Sequence, residues 1–185
     1  MREHVCPPWV GWLLASRVRT LVQDPVEILH PYVKEGMRAG DIGCAMGFFS
    51  LPMARLVGPA GRVLCIDLQE KMIASLHRRA QKSGLLDRLD TRVCSRDGLQ
   101  AAGWKGGLDF ALAFAVVHET PDPERFLKDI FGLLRPGGLF LFAEPKGHVT
   151  GTAFEKAVSL ACAPGMSERA RPEITWSHAA LFEKV

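Results

Sequence analysis

The sequence predicts an α/β domain built on a doubly wound, mostly parallel sheet. Three observations carry the prediction. From Met37 onward, apolar runs of strand length alternate with helix-period stripes, the pattern of strands joined by crossover helices. Right-handed crossovers on both faces then wind the sheet in two directions. The last two strand candidates, around Ser177, are separated by too little chain for a crossover and must pair antiparallel as a hairpin.

Each element has its own signal. Met37 to Gly43 is a short strand, weakened by Gly40. Phe48 to Val57 is a helix stopped by Gly58-Pro59. Arg62 to Asp67, "RVLCID", is an apolar run fit for burial on both faces. Gln69 to Lys82 places Met72, Leu76 and Ala80 on one helical stripe, capped by Gly84. Leu89 to Cys94 is a strand, and Leu108 to Val116, "LDFALAFAV", is the most apolar one. Pro123 to Leu134 is a helix that "RPGG" ends, and Leu139 to Ala143 is the next strand. Thr152 to Cys162 is a helix, and Pro172 to Val185 holds both hairpin strands.

The domain division follows. Residues 37–185 form the core, and residues 1–36 form an N-terminal helical segment rich in Trp9, Trp12, Leu13, Leu14 and Val18. Trp9 and Trp12 share a helical face if a helix starts near Pro8. They either pack on the core or form a lid that keeps water from a substrate.

Composition narrows the class. With 185 residues, 48% hydrophobic and 23% charged, the chain has the make-up of one soluble globular domain. A net charge of +3 without a dense basic stripe predicts no nucleic-acid surface. The apolar runs are too short for a membrane span, and no small-residue cleavage site follows the N-terminal apolar patch. The five cysteines are odd in number, widely spaced and without a C-x-x-C, which predicts a reducing, cytoplasmic setting. His4 and Cys6 supply only two donors, so no metal is expected. The oligomeric state is left open.

The chemistry starts at "DIGCAMGFFS", Asp41 to Ser50. Ligands of doubly wound sheets bind beyond the carboxyl ends of the strands, near the switch point. Glycine lets the backbone come close to a ligand there, and the next helix offers unpaired N–H groups. The dinucleotide pattern G-x-G-x-x-G is not met, because Gly43-Cys44-Ala45-Met46-Gly47-Phe48 lacks the middle and last glycines. A ligand without phosphates needs no such loop. Asp67 ends the second strand, 20 residues after Gly47, and a carboxylate there can accept both hydroxyls of a ribose. Turn and acid together fit an adenosine ligand.

"DIGCAMG", "VLCID", "LDFALAFAVVHE" and "LLRPGGLFLFAEP" resemble the class I S-adenosylmethionine-dependent methyltransferases over roughly residues 33–185. The resemblance implies a seven-stranded, Rossmann-like sheet with an antiparallel last strand, S-adenosylmethionine as cofactor and, for a chain of this size, a small-molecule acceptor. It places Asp41, Gly43, Cys44, Ala45 and Gly47 at the methionine part of the cofactor, Asp67 at the ribose, and Leu68 with either Ser95 or Asp97 at the adenine. Ala45 stands where the family often has glycine. Its methyl costs little at negative φ and much at positive φ. Two rivals remain: a cofactor-binding module without turnover, and a nicotinamide oxidoreductase.

Methyl transfer needs a base only when the nucleophile must shed a proton. Ionisable residues follow the fourth and fifth strands: His118 and Glu119, then Glu144, Lys146 and His148. Of these, His118 is expected to orient or deprotonate the acceptor, with Glu144 as a second contact. The competing readings are a loop histidine holding backbone and a Glu144–Lys146 pair.

Overall fold

The computed structural model describes residues 23–95 and 97–185. The Trp9/Trp12 lid and the His4 and Cys6 pair considered above lie outside them. The strands are β1 (Arg38–Ile42), β2 (Arg62–Asp67), β3 (Leu89–Val93), β4 (Leu108–Phe114), β5 (Leu134–Pro145), β6 (Met166–Ala170) and β7 (Ser177–Lys184). The helices are α1 (Pro25–Leu29), α2 (Ser50–Leu56), α3 (Glu70–Lys82), α4 (Pro123–Leu133) and α5 (Gly151–Cys162).

The strands form one seven-stranded sheet in the order β3-β2-β1-β4-β5-β7-β6. Strands β1 to β5 pair parallel, and β7 runs antiparallel to both β5 and β6. The order reverses between β1 and β4, so the carboxyl ends of those strands flank the switch point where a crevice opens.

Burial on both faces explains the continuous apolar strands. Along β2, Val63 and Cys65 join the core under α2 and α3, whereas Leu64 and Ile66 join the core under α4 and α5. Successive side chains of a strand point to opposite faces, so a run without alternation serves two cores at once. Helix starts are fixed locally. Asp24 accepts the Val26 N–H at 2.7 Å and Asp122 the Arg125 N–H at 3.0 Å, each before a proline at the first helical position. Thr150 does the same for Ala153 at 3.2 Å. Of the N-terminal segment, residues 23–36 supply α1 and the buried Leu29 and Val33.

Several element ends shift by one or two residues from the sequence reading, and two boundaries differ by more. Helix α4 passes directly into β5 at Leu134, and "RPGG" lies within that strand, where the register with β4 shifts between Leu108 and Phe110. The glycines therefore mark an irregular strand rather than a loop. The hairpin also starts earlier. Its first strand is Met166–Ala170, and Pro172 to Trp176 is the connection. Only Met166 of that edge strand is buried, so it carries almost no apolar signal, as suits an edge. Ile174, which made the connection look strand-like, is buried without belonging to a strand. Among the described residues, no helix is long and apolar enough to cross a membrane.

Candidate active site

A cavity of about 230 Å³ opens at the switch point. One wall is the turn after β1. The Gly43 and Cys44 N–H groups both donate to the Ile66 carbonyl, at 2.8 and 2.9 Å, and so tie this turn to the end of β2. Gly43 has φ +84, and a Cβ there would lie 2.6 Å from Val116 Cγ2. Gly47 has φ +85, and a Cβ there would collide with Leu76 of α3. Both glycines thus answer to protein packing. Gly43 lines the cavity and Gly47 does not. The Arg79 guanidinium closes the turn from behind by donating to the Met46 carbonyl at 2.5 Å.

Ala45 has φ +45, so the costly branch of the sequence reading applies. Its N–H donates to Asp67 Oδ2 at 2.9 Å, which helps hold the strained conformation. Ala115, at the end of β4 on the opposite lip, has φ +58. Non-glycine residues in this region cluster at functional sites. Ala45→Gly is expected to stabilise the protein. Relief of roughly 1–2 kcal/mol of left-handed strain outweighs the roughly 0.5–1 kcal/mol entropic cost of glycine. The melting midpoint should rise by about 1–4 °C, and a fall in thermal denaturation would contradict this account of the turn.

Asp67 spans two turns. Its Oδ2 meets Ala45 and its Oδ1 accepts the Gln69 N–H at 2.8 Å. A carboxylate offers about four lone-pair sites, so acceptor capacity remains for two hydroxyls. Burial pushes its pKa up, partly offset by backbone N–H groups of Gln69, Ala45 and Leu68. Asp41 is 3% exposed and accepts the Ser50 hydroxyl at 2.5 Å. Cys44 and Cys94 also line the cavity. Both thiols are pushed up by burial, which keeps them protonated and apolar in character.

At the far end lie Leu68, Ser95, Leu99 and Phe126. The Ser95 hydroxyl accepts the Asp97 N–H at 3.2 Å, a local turn that sets Ser95 against the cavity and leaves Asp97 off its lining. The Asp97 carbonyl in turn receives the Arg125 guanidinium. The structure therefore brings Asp41, Gly43, Cys44, Ala45, Asp67, Leu68 and Ser95 around one cavity, and leaves Gly47 and Asp97 behind it.

The catalytic candidates are arranged differently. Glu144 is 1% exposed. Its Oε1 accepts the N–H groups of Val117 and His118 at 2.8 and 3.2 Å, and its Oε2 meets His118 Nδ1 at 2.5 Å. Lys146 is not its partner. Glu144 thus pins the tight turn Val117–Glu119 that follows β4 and orients the imidazole. Its two oxygens are thus engaged with the turn and the imidazole. The His118 side chain keeps 23% exposure and meets the His148 ring edge-on at 5.8 Å. Hydrogen bonding to Glu144 raises its pKa above the ordinary 6.5, against burial. Neither His118 nor Glu144 lines the cavity, whereas Glu119 does. The sequence reading named Glu119 without favouring it. It also missed the start of α4, where Thr120 to Asp122 close the cavity. The signal available was position alone, directly after the fourth strand.

A glycine turn facing an acid at the end of the second strand, on a doubly wound sheet, defines a nucleoside-binding α/β domain. The methyltransferase domain family matches residues 33–179. A protein named ubiquinone biosynthesis O-methyltransferase from Caulobacter sp. (strain K31) is 38% identical over 109 residues, 59% of this chain and 41% of that one. Its namesake from Parvibaculum lavamentivorans is 38% identical over 122 residues, 65% of this chain and 45% of that one. The chain thus spans less than half the length of these curated relatives. The crystal structure of a SAM dependent methyltransferase from Aquifex aeolicus superposes with a TM-score of 0.87 at 20% identity, over 98% of this chain and 100% of that one. The chain belongs to the class I S-adenosylmethionine-dependent methyltransferases.

The cavity fits the family's cofactor. The Asp67 carboxylate keeps acceptor capacity beyond the Ala45 and Gln69 N–H groups, and the turn after β1, Leu68 and Ser95 line the same cavity.

Proposed function

We propose that this domain transfers a methyl group from S-adenosylmethionine to a hydroxyl of a small-molecule acceptor. The observation that carries the proposal is the His118–Glu144 pair at the end of β4. A hydroxyl must lose its proton on methylation, and a buried carboxylate that orients an imidazole supplies a positioned acceptor for it. The names of the relatives, O-methyltransferases of ubiquinone biosynthesis, support the same acceptor atom.

When bound, the cofactor supplies an electrophilic methyl group. The chain's own residues do the rest. Asp67 and the turn after β1 hold and orient the donor, and orientation is the larger part of catalysis for such a displacement. Glu144 fixes Nδ1 as the proton-bearing nitrogen of His118, which leaves Nε2 to take the acceptor's proton. Glu144 also holds the Val117–Glu119 turn against the cavity wall through two backbone bonds.

Ligand-dependent melting tests the donor assignment. S-adenosylmethionine at one hundred times its dissociation constant should stabilise by roughly 2.7 kcal/mol, a midpoint rise of about 5–10 °C. A larger rise with NAD would overturn the assignment in favour of an oxidoreductase. Incubation with phenolic and catecholic acceptors should then release S-adenosylhomocysteine. Binding of the donor with no product from any hydroxyl acceptor would leave a binding module instead.

A further inference from the structure

We propose that the Glu119 carboxylate distinguishes the charged methyl donor from its neutral product. The inference rests on the cofactor reading above and adds a residue to it. Glu119 is the last residue of the Val117–Glu119 turn that Glu144 pins from behind, and it lines the cofactor cavity. Among the described residues, no hydrogen bond or ion pair reaches its carboxylate. Asp41 and Asp67, which share the cavity, are both hydrogen-bonded. Among the described residues, Glu119 is therefore an ionisable side chain on the cavity wall without a hydrogen-bond or ion-pair partner.

What it faces follows from the donor's covalent structure. The sulfonium is one methylene from the ribose, and Asp67 is the ribose acid. Glu119 and Asp67 line the same cavity, and the Asp67 charge helps push the Glu119 pKa up. A positive charge next to the ribose therefore falls within the field of both. Burial raises the Glu119 pKa. The His118 and His148 charges lower it, while Glu144 and Asp67 raise it. Among the described residues, Asp41, Asp122, Arg125 and Asp129 are the other charged groups that line the cavity. A sulfonium favours the ionised form of Glu119, and by reciprocity ionised Glu119 favours the sulfonium. Once the methyl group has left, the sulfur is neutral and that attraction is gone. The carboxylate thus favours loading of donor and departure of product. Because the positive charge is dispersed in the transition state, the same contact does not accelerate transfer.

Comparison of S-adenosylmethionine with S-adenosylhomocysteine isolates the effect, since the ribose and its bonds to Asp67 are common to both. Calorimetric titrations of the full chain, from about pH 5 to about pH 8 and in buffers of different ionisation enthalpy, read affinity and proton release together. In the wild type, donor binding should release protons on the acid side of this range, and the donor-over-product preference should grow as Glu119 ionises. The gain is about tenfold for each pKa unit by which the sulfonium lowers Glu119. Release through Asp67 is common to both ligands, so Glu119→Gln should lose the excess acid-side release of donor over product and that share of the preference, with product affinity within about twofold. Release near neutrality that persists belongs to His118. Glu119→Asp keeps the charge and should keep part of the preference. Equal preference and equal release in the wild type and Glu119→Gln would overturn the role of Glu119 alone. Failure of both ligands to bind would remove the cofactor reading and this proposal with it.

Discussion

His118→Ala is expected to lower turnover by about 10²- to 10⁴-fold, the range typical of a positioned acid–base group, and to leave donor affinity close to that of the wild type. The split follows from placement. His118 is bonded to Glu144 behind the cavity wall and does not line the cavity. The pH profile carries a sharper signature. His118 is held above its ordinary 6.5 by its bond to Glu144, so the base form accumulates only as pH rises through that raised value, and the rate should climb there. Glu144→Gln removes the charge that raises it and should move the limb to lower pH. A group that merely anchors a loop would not move the profile. Stability has the opposite sign. A histidine whose folded pKa is raised stabilises the fold fully below its unfolded value, and the contribution is lost as pH rises through the folded value. Glu144→Ala strands the Val117 N–H in a buried site and should cost roughly 1–3 kcal/mol, read by chemical denaturation. If His118→Ala turns over at the wild-type rate with a hydroxyl acceptor, His118 is a loop anchor and the proton leaves by another route.

How far the fold was legible depends on where each strand's side chains go. β2 and β4 are buried on both faces, so composition alone marks them, and Arg62 to Asp67 is predicted to the residue. β6 lies at the sheet edge with the residues Ser167 to Ala170 partly or fully exposed, and no apolar pattern betrays it. The hairpin itself was legible from the short connection to β7, but the position of its first strand was not. The passage from α4 into β5 was misread for a related reason. "RPGG" carries the residues of a turn, but here it lies in the strand where the β4–β5 register shifts.

The site divides in the same way. Asp67 and the turn after β1 are legible because a strand end and a glycine spacing fix their position relative to the sheet. Ala45 posed a conditional that only a dihedral could resolve, and φ +45 resolves it toward strain. Gly47 is required by Leu76, a residue of the next helix, so a glycine that reads as ligand-facing serves packing. Glu144 reads as one more strand-end acid. Its burial and its three bonds to the turn after β4 depend on β4 and β5 being neighbours, which is topology rather than pattern. The choice between His118 and Glu119 as the cavity-lining residue turns on one step along a tight turn, below the resolution of any periodicity argument.

Asp67→Ala is expected to weaken S-adenosylmethionine binding by at least about tenfold, because each hydrogen bond to a charged acceptor is worth about 1.5–3 kcal/mol and two ribose hydroxyls lose theirs. The fold should survive at a cost. The Ala45 and Gln69 N–H groups lose their acceptor, and the strained turn at Ala45 loses one of the bonds that hold it. Part of the lost affinity therefore reflects a looser turn. Asp67→Asn separates the two effects. It keeps the shape and one acceptor oxygen but presents an amide donor either to Ala45 N–H or to the ribose, so affinity should fall while stability falls less than in Asp67→Ala. The pH dependence has a definite direction. Burial raises the Asp67 pKa above its ordinary 3.8, so the free protein tends to protonate this group earlier than an exposed aspartate, and its own stability suffers less in acid. A ligand that needs the carboxylate opposes that protonation. Affinity should therefore decline as pH falls through the raised value, and Asp67→Asn should lose the Asp67 share of that decline, which S-adenosylhomocysteine isolates because it lacks the sulfonium. Calorimetric affinities for wild type and both variants, measured on both sides of that fall, decide the matter. Unchanged affinity in Asp67→Ala would remove Asp67 from the ribose and leave its carboxylate as a brace between the turn after β1 and the start of α3.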